Sequence, residues 1–259
     1  MMDLLLIVVV TFLAGMGAGI GTGFAGMSAA AVISPMLITF LGVDSYIAVG
    51  IALASDVLAS AVSAFTYAKH KNIDIKNGII MMVSVLIFTV VGSFVSSLIP
   101  SVTLGSATYI MTLFLGIKFI VSPIMTTKES MLAVSAKQRA IESVISGVIV
   151  GFICGFIGAG GGMMMLIILT VILGYELKTA VGTSVFIMTF TAFTGSVTHF
   201  YIGGLPNPLI LVLCMIFTLI WARIAALIAN RAHPETLNRV TGIILVVLAV
   251  IMILFNIFG

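Results

Sequence analysis

Two features of this chain combine residue types and spacing suited to chemistry: runs of glycine between apolar stretches, and one acid inside an apolar stretch. The clearest glycine run is "GFIGAGGGMMM", with Gly158, Gly160, Gly161 and Gly162 close together. A glycine inside a helix costs about 1 kcal/mol relative to alanine, so this cluster is expected to break a helix. The helix beyond the break begins with free backbone N–H groups. Those donors, with the positive end of the helix dipole, favour an anion. An equivalent turn lies earlier, in "GMSAAAV", where Ser28 can serve as an N-cap or as a ligand hydroxyl. The candidate anion-binding residues are therefore Gly26, Met27, Ser28 and Ala29 in the first turn, and Gly160, Gly161, Gly162 and Met163 in the second. The alternative is a pair of plain tight turns.

The acid is Asp56, near the middle of "ALASDVLAS". An acid at the centre of a bilayer costs about 2.5–3.5 kcal/mol on insertion scales, and such residues usually face a cavity and serve a function. In its neutral form Asp56 would admit an anion, which makes it the candidate proton-coupling residue; a structural hydrogen bond to a neighbouring helix is the alternative. Thr183 and Ser184, in "AVGTS", are two further candidates. Their hydroxyls could donate to an oxyanion or bond their own backbone four residues back. His199 and Arg223 fall near segment ends, where structural and snorkelling roles are favoured. Met163, Met164 and Met165 read as adaptable packing rather than copper ligands.

The elements that must position these residues are membrane helices. Of the 259 residues 61% are hydrophobic and 7% charged, against about 25% charged in a soluble domain, and the mean hydropathy is +1.36. This composition also decides the meaning of Gly21-Thr-Gly-Phe-Ala-Gly26, which fits G-x-G-x-x-G. The apolar run before it is long enough to enter a bilayer, whereas a nucleotide-binding strand has about 5–6 residues. The first segment has no basic n-region, its only early charge being Asp3, so a cleaved secretory signal is not expected. Cys154 and Cys214 lie in apolar runs and read as small buried residues. No P-loop, H-E-x-x-H or G-x-S-x-G occurs. The expectation is a non-enzyme with no cofactor and no nucleic-acid partner.

Long apolar runs place segments at about 3–24, 27–42, 45–68, 78–99 and 104–123, then 141–157, 160–174, 178–202, 208–230 and 240–258. The second of each set is short for a span and could be a half-helix or a re-entrant arm. A shift of 132 positions superimposes the sets without a gap. Gly15, Gly19 and Gly23 fall on Gly147, Gly151 and Gly155; Leu41 and Gly42 fall on Leu173 and Gly174. Each glycine triplet is spaced by four and so shares one helix face, the pattern that lets membrane helices approach closely. The expected organisation is a first transmembrane repeat at 1–125, a cytoplasmic linker at 126–140 and a second repeat at 141–259.

Charge sets the orientation. Lys69, Lys71 and Lys76 follow the third segment of the first set, while Arg231 and Arg239 follow the fourth segment of the second. Loops rich in Lys and Arg are cytoplasmic, so the repeats are expected to sit upside down relative to each other. With ten reversals, Lys128, Lys137, Arg139 and Lys178 also fall inside, and both termini fall outside. The fold class expected is an all-α integral membrane protein built of two inverted repeats of about five segments each, helices being short or broken at the Gly-rich turns. Such an arrangement points to a secondary transporter site at the midplane.

The stretch "GFICGFIGAGGGMMMLIILTVILGYELKTAVGTS" resembles the second-half signature of the sulfite exporter TauE/SafE family, and "GFAGMSAAAVISPMLITFLG" followed by "AVGIALAS" is similar to its first half, with Pro35 in place of the family's proline. The resemblance covers essentially the whole chain. It departs at Ser28-Ala29-Ala30, where a glycine run is common, and at Ile167, which stands opposite Pro35. What it implies is export or exchange of small sulfur oxyanions, organosulfonates or other organic acids. The function expected is therefore a secondary active exporter of a small anion in the cell membrane, working by alternating access, with protons as coupling partner through Asp56. A homo-oligomer is compatible with the sequence. A channel-like anion conductor and a non-transporting scaffold or intramembrane enzyme are the competing readings.

Overall fold

In hydrocarbon a backbone satisfies its polar groups only within helices or closed barrels, and the apolar runs here form helices. The computed structural model describes residues 4–96, 113–114, 116–123, 126–127, 129, 135–157 and 161–258; among these there is no strand. The helices are α1 (Leu4–Ala25), α2 (Ala30–Leu41), α3 (Ser45–Lys69), α4 (Ile75–Ser96), α5 (Ala136–Ile157), α6 (Gly161–Ile167, running on into a π turn at Ile168–Ile172), α7 (Leu177–Gly203), α8 (Pro208–Arg231) and α9 (Pro234–Phe258). Residues 116–121 are also helical. Among the described residues five helical stretches are long and apolar enough to cross a membrane: Leu4–Ala25, Ile47–Lys69, Leu177–Tyr201, Pro208–Arg231 and Pro234–Ile251. Large apolar side chains such as Leu5, Val90 and Val121 point outward, as a lipid-facing surface requires.

Three helices begin earlier than the hydropathy suggests, because their first turns are polar. Asp74 starts α4 by accepting the Asn77 amide at 3.1 Å. Ser135 starts α5 by accepting the Gln138 amide at 3.3 Å, so residues 136–140 of the expected linker belong to the helix. Pro234 opens α9, a position where its missing N–H costs nothing. Residues 128 and 130–134 of the linker, and 104–112 and 115 of the segment expected at 104–123, lie outside the described residues.

The two short elements match in their described length. α2 has 12 residues; α6 and its π turn have 7 and 5. At 1.5 Å per residue each covers about 18 Å, well short of a 30 Å hydrocarbon core. Pro35 removes an N–H within α2, and the π turn begins one residue after Ile167, the position opposite Pro35. Both elements end on a left-handed glycine, Gly42 at φ 59° and Gly174 at φ 61°.

Glycine faces set the helix pairs. A Cβ at Gly15 would lie 3.0 Å from the Thr218 nitrogen, at Gly19 2.7 Å from the Ala222 nitrogen, and at Gly23 2.9 Å from the Ala226 nitrogen. α1 and α8 therefore run parallel, backbone against backbone. A Cβ at Gly147 would meet the Met81 carbonyl, and one at Gly151 would meet Val85, so α5 runs parallel to α4. α3 and α7 are antiparallel: Gly50 meets Phe200, Gly195 meets Leu53, and Gly182 meets Tyr67 and the Asn72 carbonyl. Near the chain's end, Gly116 and Gly242 each face the other's carbonyl.

Gly19→Leu is expected to cost about 1–3 kcal/mol or more, as overpacking does, and to lower the thermal midpoint of detergent-purified protein. Gly42→Ala, where nothing lies within 4 Å, should cost only the left-handed backbone strain of about 1–2 kcal/mol.

Candidate functional site

A helix that stops inside a membrane strands its last carbonyls and the next helix's first amides. α1 stops at Ala25, and Gly26 turns the chain at φ +62°, a conformation that suits glycine. The Gly26 amide returns to the Thr22 carbonyl at 2.9 Å and the Met27 amide to the Gly21 carbonyl at 3.3 Å. Four further carbonyls, those of Gly23, Phe24, Gly26 and Met27, are met by hydroxyls from four helices. Tyr67 of α3 donates to the Gly23 carbonyl at 2.9 Å, Thr241 of α9 to that of Phe24 at 3.5 Å, Ser184 of α7 to that of Gly26 at 3.3 Å, and Thr22 of α1 to that of Met27 at 2.9 Å.

On the donor side stands Asp56. Its carboxylate accepts from the Ser28 hydroxyl at 2.8 Å and the Ser60 hydroxyl at 3.0 Å, and the Ala29 amide donates to it as well. Asp56 is 1% exposed, and no ion pair involves it among the described residues. Ser28 also accepts weakly from the Ala30 amide at 3.4 Å. The amides of Ala31, Val32 and Ile33 close onto the carbonyls of Ser28 and Ala29. The place where the sequence suggests an incoming anion thus holds the chain's own acid.

The start of α6 abuts this break. α5 is described to Ile157 and α6 from Gly161; residues 158–160, Gly160 among them, lie outside the described residues. A Cβ at Gly162 would stand 2.6 Å from the Gly26 carbonyl oxygen, 2.7 Å from the Met188 sulfur and 2.8 Å from the Ser28 nitrogen. Only glycine permits that approach. Gly26, Met27, Ser28, Ala29, Asp56, Gly162 and Ser184 are therefore gathered in one place, with Gly161 and Met163 flanking Gly162 in α6. Thr183 faces elsewhere, accepting from the Asp74 amide at 3.1 Å. Neither Thr183 nor Ser184 bonds to the carbonyl four residues back.

Thr183 belongs to a polar cluster at the Lys69 end of α3. There Asp74 accepts from Tyr175 at 3.0 Å and from the Asn77 side chain at 2.8 Å, with Arg139 3.7 Å away. Burial, and the Asp74 carboxylate beside it, push the Tyr175 phenol above its usual range. Asn72 donates to Asn230 at 2.7 Å, and Lys178 to the Asn230 carbonyl at 3.0 Å. This cluster ties the α3–α4 loop to α5, α7 and α8.

Ser60, Tyr67, Thr22 and Thr241 escaped the sequence reading. Ser60 was within reach, being one helical turn after Asp56. Tyr67 and Thr241 carry no local signal, because their partners are carbonyls far along the chain. Tyr67→Phe is expected to lower stability by about 1–3 kcal/mol, the cost of leaving a buried carbonyl unmet; Tyr201→Phe, at an 89% exposed position, should leave the thermal midpoint unchanged.

Comparison with known proteins agrees with the membrane architecture. The profile for the sulfite exporter TauE/SafE family matches residues 11–252. The probable membrane transporter protein YunE of Bacillus subtilis (strain 168) is 25% identical over 254 residues, covering 93% of each chain. No solved structure matches. With its helices long enough to span a bilayer and the family profile matching nearly all of it, this chain belongs to the sulfite exporter TauE/SafE family, as a multi-pass cell-membrane transporter.

Proposed function

We propose that the chain is a secondary active exporter of a small anion such as sulfite or an organosulfonate, working by alternating access with Asp56 as the proton-coupling residue. The observation that carries this reading is the meeting of the α1–α2 break with the first turn of α6 at Gly162, with a carboxylate on the donor side of the break. The substrate's oxygens and an ionised Asp56 compete for the same donors, the Ser28 hydroxyl and the Ala29 amide. A proton on Asp56 removes that competitor. The anion then takes those donors together with the amides beyond the second break at Gly161, Gly162 and Met163, and Ser184 helps to fix the turn that presents them.

Alternating access is read as the motion of two inverted repeats about these breaks. Support comes from the pairing of helices. The equivalent helices α3 and α7 pack antiparallel, while α1 lies along α8 in the same sense as α5 lies along α4. An in-plane two-fold relation between halves produces that pattern. Ten reversals of the chain, with the Lys69 end of α3 inside and both termini outside, agree with it.

The test is transport into proteoliposomes of sulfite, sulfate, sulfoacetate, taurine and lactate, each with and without a pH gradient. At least one anion is expected to be carried faster when the gradient supplies protons, and Asp56→Asn should abolish that dependence while permitting anion binding. Gly162→Leu should abolish binding. Flux linear in concentration and blind to pH would instead identify a channel; failure of the purified protein to bind any anion of the panel would indicate a scaffold.

A further inference from the structure

We infer that one face of α3, carrying Ser60 and Ser63, is the route by which the coupling proton travels between Asp56 and the Lys69 end of the molecule. This rests on Asp56 being the coupling residue.

In a lipid-embedded helix a serine or threonine hydroxyl has a ready partner in the carbonyl three or four residues back. Thr11, Ser55, Thr66, Thr89, Thr170 and Thr218 all use it. Ser60 does not: it turns onto Asp56 at 3.0 Å. Ser63 does not either. It is fully buried, and its hydroxyl has no partner among the described residues. Asp56, Ser60, Ser63 and Tyr67 follow at intervals of four, three and four, so they share one face, and all four are buried. That face looks onto the α1–α2 turn, since Ser28 meets Asp56 at one end and Gly23 meets Tyr67 at the other. Neighbouring positions at this spacing have Cβ atoms about 5–6 Å apart, which a hydroxyl pair or one intervening water bridges. Ser63 is the unoccupied link between a hydroxyl already on the acid and the polar groups of the Lys69 end.

The equivalent face of α7 holds Met188, Ala192, Gly195 and His199, so it carries no comparable row of hydroxyls. The track exists on one side of the breaks only.

Among the described residues no charged group bonds to Asp56. α1 and α2 contain no titratable residue. α7 carries Lys178, His199 and Tyr201, and α8 carries Cys214, Arg223 and Arg231; none of these bonds to Asp56, whose partners are Ser28, Ser60 and the Ala29 amide. In the transfer, the neutral carboxyl gives its proton to the Ser60 oxygen and becomes a carboxylate. Each hydroxyl or water then accepts one proton and releases another, and a water at the Lys69 end takes up the last.

The experiment compares two fluxes in proteoliposomes for the anion of the above panel showing the largest proton-driven transport. One is uptake driven by a pH gradient, with proton entry followed by an internal pH dye; the other is anion–anion exchange at equal pH, which needs no proton to leave Asp56. Ser63→Ala should slow gradient-driven uptake about tenfold, the rate cost of the one hydrogen bond that Ser63 would make while passing the proton on, and leave exchange unchanged. Ser63→Thr should restore it, and Ser55→Ala should change neither flux. Equal slowing of both fluxes by Ser63→Ala would make Ser63 a packing residue and overturn the route, as would no slowing of either. If Asp56→Asn loses the pH response while Ser63→Ala keeps it, the route alone falls. If no anion of the panel shows proton-driven uptake, or Asp56→Asn retains it, the coupling reading falls and the route with it.

Discussion

Everything near the centre of this molecule follows from one constraint: a peptide chain interrupted within hydrocarbon must satisfy its free polar groups without bulk water. The break after Ala25 leaves carbonyls on one side and amides on the other. Hydroxyls from α1, α3, α7 and α9 converge on the carbonyls; two serines and a carboxylate gather around the amides. The polar core is thus dictated by the break. Moving α3 or α7 would strand the Gly23 or Gly26 carbonyl, so the turn and the helices around it are expected to shift as a unit.

The glycine faces make that convergence possible. Lipid supplies no hydrophobic pull between helices, and close backbone approach supplies dispersion instead. At Gly19 and Gly23 the approach is close enough that any Cβ would strike α8. Holding α1 there places its last turn beside Tyr67 and Thr241. Gly162 repeats the device in the first turn of α6, where a side chain would strike both the Gly26 carbonyl and the Ser28 amide. Glycine thus has two separate uses here, turning the chain at Gly26 and thinning it at Gly19 and Gly162.

Much of this was legible beforehand. Hydropathy located most of the helices, and the spacing of Gly15, Gly19 and Gly23 identified a packing face. The break at Gly26 and the special position of Asp56 were readable because glycine and an acid are both costly in a membrane helix. Helix starts at Ile75, Ala136 and Pro234 were missed where polar first turns hide the apolar signal. Thr183 and Ser184 are adjacent in sequence but separate in role: one joins the Asp74 cluster and the other meets Gly26, and only the tertiary packing of α7 against α3 decides that. Tyr67 could not be found at all, since an isolated tyrosine says nothing about which carbonyl it will reach.

In the proposed cycle a single acid suffices. Position 188, 132 residues after Asp56, is a methionine whose sulfur packs against Gly162 and lies 3.7 Å from the Ser184 oxygen. Gly162 touches the break at Gly26, so a second carboxylate at 188 would set two like charges close together at low dielectric, where they repel strongly. It would also claim the donors of the second break for the protein itself. With methionine at 188, only the first set of donors has an internal competitor. In the proposed cycle this divides the work: the first break is vacated when Asp56 takes a proton, while the second presents its amides without any change of charge. A carrier built of two identical halves would lack that division, so the departure from symmetry at 56 and 188 is what would let proton and anion be bound together rather than independently.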